Sequence, residues 1–178
     1  RLSCVDPNLQ QVPRDVTLRS LITAPPGWSL VEADYSQVEL RVAALISGDT
    51  SMKQAFQSNE DIHRKTASAV MGVPAEEVTK EQRKKAKAVN FGFLYGMGAS
   101  KFQEYARDKY GVELSAEEAS EFRQRFFDLY PGLPLWHERQ RRLVRKFKYV
   151  RSPLGRKRRL PEVDSPEKPR RGEAERQA

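Results

Sequence analysis

The sequence predicts an α+β fold that is mostly helical, with short strands at its start and a basic hairpin near its end. Three observations lead to this prediction. Four prolines and short apolar pieces make residues 1–26 irregular. From residue 37 onward, apolar residues recur at helical spacing between helix-capping signals. A Pro-Leu-Gly sequence at 153–155 then marks a tight turn.

The first regular elements lie between residues 28 and 72. Trp28–Ala33 is apolar and follows two prolines and a glycine, which predicts a short strand. Residues 37–46 carry apolar side chains at 38, 40, 42, 45 and 46, which predicts a helix ended by Gly48. Residues 61–71 predict another helix, ended by Gly72.

Two capping boxes mark the starts of longer helices. Thr79-Lys-Glu-Gln82 predicts a helix through about Tyr95, and Ser115-Ala-Glu-Glu118 predicts one that ends at Pro131. The apolar side chains of the second helix are Phe122, Phe126 and Leu129.

The last predicted elements are a helix over residues 133–147 and a hairpin over Tyr149–Leu160. The hairpin should turn around Pro153–Gly155. The inward-facing residues of the helix should be Trp136, Leu143, Val144 and Phe147.

Charge and cysteine content restrict the possible partners. The net charge is +8, and from Arg139 to Arg159 there are eleven Lys or Arg and no Asp or Glu. Such a face suits nucleic acid, although a solvated helix face with a basic loop has the same composition. The single cysteine, Cys4, excludes an internal disulfide and fits a cytoplasmic location. No run of 18 apolar residues occurs, so no membrane partner is expected.

The predicted helix at 79–96 carries an informative stripe. Its members, four residues apart, are Arg83, Lys87, Phe91 and Tyr95. Each step of four drifts only about 40° around a helix, so two cations and two rings share one face. The rise from the first cation to the first ring is roughly 12 Å, the length of a triphosphate followed by a nucleoside. An amphipathic core helix with solvated lysines is the alternative interpretation.

The glycines and the asparagine of this helix favour the functional interpretation. Gly92 and Gly96 each cost about 1 kcal/mol in a helix interior relative to alanine. Close approach of a base or template strand would offset that cost, and Asn90 adds a polar group beside them. No P-loop sequence occurs, so a nucleotide would bind along the helix.

Two long motifs resemble those of the family A DNA polymerases, the DNA polymerase I family. Asp34-Tyr-Ser-Gln-Val-Glu-Leu-Arg41 is similar to their motif A, and Arg83-x-x-x-Lys87-x-x-Asn-Phe-Gly-x-x-Tyr-Gly96 to their motif B. Arg1–Gln10 and Gly155–Pro161 also resemble segments of that family. The resemblance covers essentially the whole chain in the expected order.

The resemblance implies template-directed transfer of a nucleotide from a dNTP to a primer 3′-hydroxyl. Two Mg²⁺ ions would stabilise the attacking and leaving oxygens. Asp34 would end a palm strand and hold both ions, and the backbone carbonyl of Tyr35 would be a further ligand. An ordinary helix-capping aspartate is the alternative for Asp34.

The resemblance also implies a set of nucleotide contacts. Arg83 and His63 would bind the phosphates, and Lys87 would neutralise charge near the α-phosphate and act as a general acid. Phe91 would pack on the sugar and base, and its lack of a hydroxyl implies poor use of dideoxynucleotides. Tyr95 would stack at the templating position. Ser36, Gln37 and Glu39 would complete the nucleotide site, with Glu39 as the steric gate against a ribose 2′-hydroxyl.

The expected DNA contacts lie near both ends of the chain. Arg1, Asn8 and Gln10 match residues that touch the minor groove of the primer–template, where acceptors are common to all base pairs. Arg156 and Arg158 are candidates for the DNA backbone, together with Tyr95 at the template.

The match to the family is incomplete. The second metal-binding carboxylate lies in a His-Asp-Glu motif that does not occur here. Gln11 stands where the family usually has Asn, and the segment between Pro13 and Trp28 is short. Residues 1–44 would form part of a palm and residues 45–178 a fingers region. The chain is expected to be a piece of a longer protein and to need the remainder of the polymerase for activity.

Two other classes of function remain open from the residues. One is a non-catalytic nucleic-acid-binding module that uses the basic stretch alone. The other is a related polymerase that selects ribonucleotides. Asp34, Glu39 and the stripe from Arg83 to Tyr95 argue against the first, since a simple binder needs no metal carboxylate. Glu39 argues against the second.

Overall fold

The computed structural model describes residues 15–178, which divide into two compact units after Ser36. In the first unit, helix α1 spans Val16–Ser20. Asp15 caps it, because its Oδ1 accepts hydrogen bonds from the backbone N–H groups of Thr17 and Leu18 at 2.8 and 3.1 Å.

The predicted strand at residues 28–33 is absent, so that prediction is wrong. These residues belong to no helix or strand, and Trp28 and Val31 are 77% and 89% exposed. A strand exists only with a hydrogen-bonded neighbour, and nothing within residues 15–36 pairs with this segment. An apolar composition can favour a strand but cannot supply its partner.

The second unit is helical apart from one hairpin. Its α-helices are α2 (Val38–Ser47), α3 (Thr50–Gln57), α4 (Ile62–Met71), α5 (Lys80–Leu94), α6 (Ala99–Tyr110), α7 (Ala116–Leu129), α8 (Gly132–Phe147) and α9 (Lys168–Arg176). Short 3₁₀ turns lie at Ala75–Glu77 and Pro161–Asp164. The predicted ends at Gly48, Gly72 and Pro131 are confirmed, and both predicted capping boxes are formed.

The predicted hairpin is also confirmed. Strand β1 (Tyr149–Arg151) pairs antiparallel with β2 (Lys157–Arg159), with Val150 opposite Arg158. The Gly155 N–H donates to the Ser152 carbonyl at 2.8 Å and closes the turn. The mostly helical α+β class predicted from the sequence is therefore correct.

The main core surrounds α5. Phe93 of α5 is fully buried, with ring centroids 4.3 Å from Phe102 of α6 and 5.6 Å from Phe126 of α7. Burying a side chain of this size contributes about 1.5–3 kcal/mol. Because α5 is covered on its core side by α4, α6 and α7, its opposite side is the one left open.

A second, smaller cluster joins Val144 of α8 to Leu160, Val163 and Ala174. Phe147 does not belong to it and is 46% exposed, so its predicted inward orientation is wrong. The chain reverses at Lys148, which has a φ of 59°, and leaves Phe147 at the helix end beside Tyr149 and the side chain of Lys146. No helix among residues 15–178 combines the length and apolar character needed to cross a membrane.

Candidate nucleotide-binding site

The predicted helix stripe faces away from the core. Arg83, Lys87 and Phe91 lie on α5, and Tyr95 is its C-terminal cap residue. Lys87 is exposed, Arg83 and Phe91 are partly exposed, and Tyr95 is 57% exposed. We call these four residues the α5 stripe. Two cations and two rings are thus open along one helix face.

The glycines of α5 have structural roles, which corrects the interpretation that a base or template strand offsets their cost. A Cβ on Gly92 would lie 2.6 Å from Cδ2 of Phe102, so close packing of α6 requires glycine there. Gly96 has a φ of 70° and ends the helix. Its N–H donates to the Phe93 carbonyl at 3.0 Å, and the Met97 N–H donates to the Gly92 carbonyl at 3.2 Å. This is a Schellman motif.

The first cation of the stripe is held by an acid from another helix. Arg83 Nε donates to Asp61 Oδ2 at 2.6 Å. The other oxygen of the same carboxylate, Oδ1, caps α4 by accepting from the N–H groups of His63 and Arg64 at 3.0 and 3.2 Å. Burial alone would raise the pKa of Asp61, but the hydrogen bonds from Arg83 and the backbone hold it below its ordinary value.

A buried polar network lies behind the stripe. Asn90 Nδ2 donates to the Ala86 carbonyl at 2.9 Å and lies 3.0 Å from Nδ1 of His63. Asn90 Oδ1 accepts from the Thr66 hydroxyl at 3.0 Å, and the Tyr130 hydroxyl lies 2.9 Å from that of Thr66. Because the amide presents its NH₂ to the imidazole, Nδ1 accepts and neutral His63 carries its proton on Nε2.

His63 lies beside the stripe but is almost fully covered, with 3% exposure. Its ring centroid is 6.1 Å from that of Phe91. Burial is the largest cause that lowers the pKa of His63, to about 4, and the positive charges of Arg83 and Lys87 lower it further while Asp61 opposes them. The imidazole is therefore a neutral hydrogen-bond donor at neutral pH.

We expect the His63 imidazole to titrate near pH 4 in an NMR titration of the chain, well below the ordinary 6.5. The unfolded chain takes up this proton between pH 6.5 and 4 while the folded chain does not, so stability falls as the pH is lowered through that window. Across this window, this one histidine should lower the free energy of unfolding by about 3 kcal/mol. Urea unfolding at pH 7 and 4.5 measures it, with His63→Gln losing less stability on acidification than the unmodified chain. An imidazole that titrates near 6.5 contradicts the assignment.

The C-terminal end of the stripe opens into a cleft of about 420 Å³. Glu39 of α2, Tyr95, Trp136 and His137 are among the residues that line it. Burial and then the nearby Glu39 carboxylate raise the pKa of the Tyr95 hydroxyl. The predicted gate residue Glu39 is exposed and lies close enough to Tyr95 to share its electrostatic environment.

His137 is a residue that the sequence did not single out. Its Nε2 donates to the Leu94 carbonyl at 2.9 Å and so satisfies an otherwise unpaired carbonyl at the end of α5. Asp61 was also missed as the partner of Arg83, and Thr66 as the partner of Asn90. The sequence indicates Asp61 as a helix cap, but its hydrogen bond with Arg83 depends on packing between α4 and α5.

The motif A residues lie at and just before the division between the two units. Asp34, Tyr35 and Ser36 are exposed and belong to no helix or strand. Gln37 precedes α2 with a φ of 54°, an uncommon conformation for a residue other than glycine. Arg1, Asn8 and Gln10, the predicted minor-groove contacts, lie outside the described residues.

The candidate metal ligands among residues 15–178 make up only part of a Mg²⁺ site. Among residues 15–178, no group of three or more His, Cys, Asp or Glu is arranged to hold a metal ion. Mg²⁺ keeps several waters and is commonly bound through one or two carboxylates plus substrate phosphates. An exposed Asp34 carboxylate with the Tyr35 carbonyl matches one portion of such a site.

The basic stretch is partly neutralised by acids from elsewhere in the chain. Arg145 Nε donates to Glu175 at 2.7 Å, and Lys148 pairs with Asp164. On the hairpin, Arg156 and Arg158 are exposed, although one Nη of Arg158 donates to Gln177 at 2.7 Å. Lys157 Nζ lies 3.7 Å from the ring centroid of Tyr149. The hairpin keeps an exposed basic and aromatic face.

Comparison with known proteins identifies the family. The family model for DNA polymerase family A matches residues 1–178. DNA polymerase I of Aquifex aeolicus is 44% identical over 146 residues, 82% of this chain and 25% of that protein. A thermostable DNA polymerase I of Thermus thermophilus is 42% identical over 182 residues, which cover 100% of this chain and 21% of that protein. The chain thus spans about a quarter or less of the length of these relatives.

A solved structure is similar as well. The POL domain of Pol1 from M. smegmatis, in complex with DNA primer-template and dNTP, superimposes with a TM-score of 0.83 at 34% identity. The match covers 99% of this chain and 31% of that one. On the match to its full length and the identity to these relatives, the chain belongs to DNA polymerase family A.

Proposed function

We propose that the chain forms the nucleotide-binding part of a template-directed DNA polymerase that acts on primer–template DNA and dNTPs. The observation that carries this proposal is the open α5 stripe, in which one donor is anchored and behind which a second anchored donor lies. Asp61 holds Arg83, and Asn90 holds His63 as a neutral donor. An anchored arginine and a lysine along one open helix face, with the imidazole N–H of α4 behind them, suit a triphosphate.

In the proposed reaction, the primer 3′-hydroxyl attacks the α-phosphorus of the dNTP. The new P–O bond forms as the bond to pyrophosphate breaks, the hydroxyl proton passes to water, and pyrophosphate leaves. Two bound Mg²⁺ ions would supply charge stabilisation for the attacking and leaving oxygens. Asp34 and the Tyr35 carbonyl would hold them, and a further carboxylate would come from another part of the polymerase. We therefore expect no polymerisation by the 178 residues alone.

Each member of the stripe has a proposed role. Arg83, with His63, binds the outer phosphates. Lys87 lies one turn further along, where it neutralises the α-phosphate and donates a proton to the departing pyrophosphate. Phe91 packs on the incoming sugar and base, and Tyr95 stacks at the templating position.

The sugar would lie toward the residues that follow Asp34. Ser36 and Gln37 are proposed to contact the nucleotide, and Glu39 to crowd the position of a ribose 2′-hydroxyl. The proximity of Glu39 to Tyr95 supports this, because both line the cleft at the nucleoside end of the stripe. A ribonucleotide polymerase would need that space.

We expect Glu39→Ala to raise the use of ribonucleotides by the full-length polymerase about tenfold or more. This is the order of magnitude expected when one steric contact is lost. The ratio of kcat/KM for a dNTP to that for the matching rNTP is the measurement. Glu81→Ala is the matched control, since Glu81 is likewise an exposed acid in the first turn of a helix. Unchanged sugar selectivity in the Glu39 variant would contradict the gate.

Two sets of DNA contacts are proposed, one on the hairpin and one at the start of the chain. Arg156 and Arg158 would contact the DNA backbone, and Arg1, Asn8 and Gln10 the minor groove. Exposed cations on a hairpin give affinity through release of counterions, without reading sequence. A module that only bound nucleic acid would leave the α5 stripe without a purpose.

A further inference from the structure

We propose that Asp61 is a positioning residue that orients Arg83 toward the bound triphosphate, an inference that rests on the proposed function of the α5 stripe. No role for an acid was expected at the phosphate end of the stripe, where a carboxylate repels the phosphates. The hydrogen bond between Asp61 and Arg83 explains why an acid lies there.

The atoms involved determine what Asp61 can do. It accepts through Oδ2 from Nε of Arg83, the inner nitrogen of the guanidinium. Within residues 15–178, no hydrogen bond joins the two terminal amino groups of Arg83 to another side chain. A guanidinium held at Nε keeps its planar terminal edge, with four N–H donors, for a second anion. That edge is the part that binds phosphate bidentately.

The same carboxylate also sets the position of His63. Through Oδ1 it caps α4 at the N–H of His63 itself, so one side chain links the start of α4 to the first cation of α5. Arg83 is 41% exposed at its side chain and Asp61 33%, so the pair lies at the surface where a ligand can reach it. Asp61 thereby holds two phosphate donors from two helices in one arrangement.

Electrostatics and positioning predict opposite effects when the charge of Asp61 is removed. Deleting a negative charge beside a polyanion site should strengthen dNTP binding by Coulomb's law alone. Loss of orientation should weaken it, because Arg83 must then be ordered at the moment of binding. The sign of the change therefore separates the two effects.

The test uses the full-length polymerase with Asp61→Ser and Asp61→Asn. Serine and asparagine both cap helices well, so α4 and His63 should stay in place. Serine is too short to reach Arg83. Asparagine that keeps its oxygen on the helix cap turns its NH₂ group toward Nε–H of Arg83, and two donors form no hydrogen bond. Glu60→Gln is the matched control, since it removes the same charge one residue earlier from an acid that pairs with Lys65 at 3.1 Å.

Pre-steady-state incorporation of a single dNTP separates binding from the maximal rate. We expect both Asp61 variants to weaken the apparent dNTP affinity about tenfold, the effect of losing one charge-assisted hydrogen bond. The maximal rate should change less than about twofold, which marks a binding effect. Primer–template affinity and the Glu60→Gln variant should stay unchanged.

A double-mutant cycle with Arg83→Ala completes the test. If Asp61 acts through Arg83, Asp61→Ser adds nothing once Arg83 is alanine. Unchanged or tighter dNTP binding in the Asp61 variants, or an additive effect in the double variant, overturns the positioning role and leaves the proposed function intact. If Arg83→Ala itself leaves dNTP affinity unchanged, the proposed function of the stripe fails as well.

Discussion

Asp34→Asn should reduce nucleotide incorporation by the full-length polymerase on the order of a thousandfold or more, while primer–template affinity stays near that of the unmodified enzyme. The reason is that a neutral amide is a poor ligand for Mg²⁺, which prefers charged oxygens. Asp34 is exposed and no helix or strand includes it, so the substitution should leave the fold unchanged.

Single-turnover incorporation and equilibrium DNA binding are the two measurements for Asp34. The matched control is Glu32→Gln, which removes a carboxylate from an exposed position two residues earlier in the same segment. We expect this control to retain turnover. Incorporation by Asp34→Asn at a rate close to that of the control would refute the proposed metal-binding role.

Lys87→Ala should slow incorporation a hundredfold or more, on the order expected when both a stabilising charge and a proton donor are lost. Lys87 is exposed on α5 one turn beyond Arg83, and its charge already reaches His63, whose pKa it helps to lower. No core contact depends on it, so the loss should fall on the reaction and leave stability nearly unchanged.

Lys87→Arg distinguishes the two roles of the lysine. Arginine keeps the positive charge but does not release its proton. We expect this variant to keep most of the dNTP affinity and to recover little of the maximal rate. Lys85→Ala is the control, because residue 85 lies about 200° away around the same helix. A Lys87→Ala enzyme as fast as the Lys85→Ala control would show that the lysine contacts no reacting phosphate.

Local signals were sufficient for five of the nine helices in residues 15–178, namely α2, α4, α5, α7 and α8. The boxes at Thr79 and Ser115 each close within four residues, since the side chain and backbone groups that bond are neighbours in sequence. The hairpin turn at Ser152–Gly155 closes in the same local way. Such features depend on short-range geometry, which the order of residues specifies directly.

The α5 stripe was predictable for a similar reason. Residues four apart share a helix face whatever the helix packs against, so Arg83, Lys87, Phe91 and Tyr95 can be grouped from their spacing alone. The residues that support them could not be found in this way. Asp61 lies 22 positions from Arg83, and Tyr130 lies 64 positions from Thr66, so only helix packing brings each pair together.

The incorrect predictions share one physical cause. Trp28–Ala33 has the composition of a strand but no paired neighbour among residues 15–36. Phe147 has the spacing of a core residue but lies where the chain reverses. Gly92 was attributed to a nucleic-acid contact, whereas the ring of Phe102 occupies the space beside it. In each case the outcome depends on what the segment meets after folding.

The amino-acid order by itself determined helices α2, α4, α5, α7 and α8, the two capping boxes, the hairpin and the line of cations and rings along α5, because each of these follows from residues within a few turns of each other. Tertiary packing alone decided that His63 is buried and neutral, that Asp61 holds Arg83 and that glycine is required against Phe102. Those features arise from contacts between separate helices, and their energies exist only once the core around Phe93 has formed.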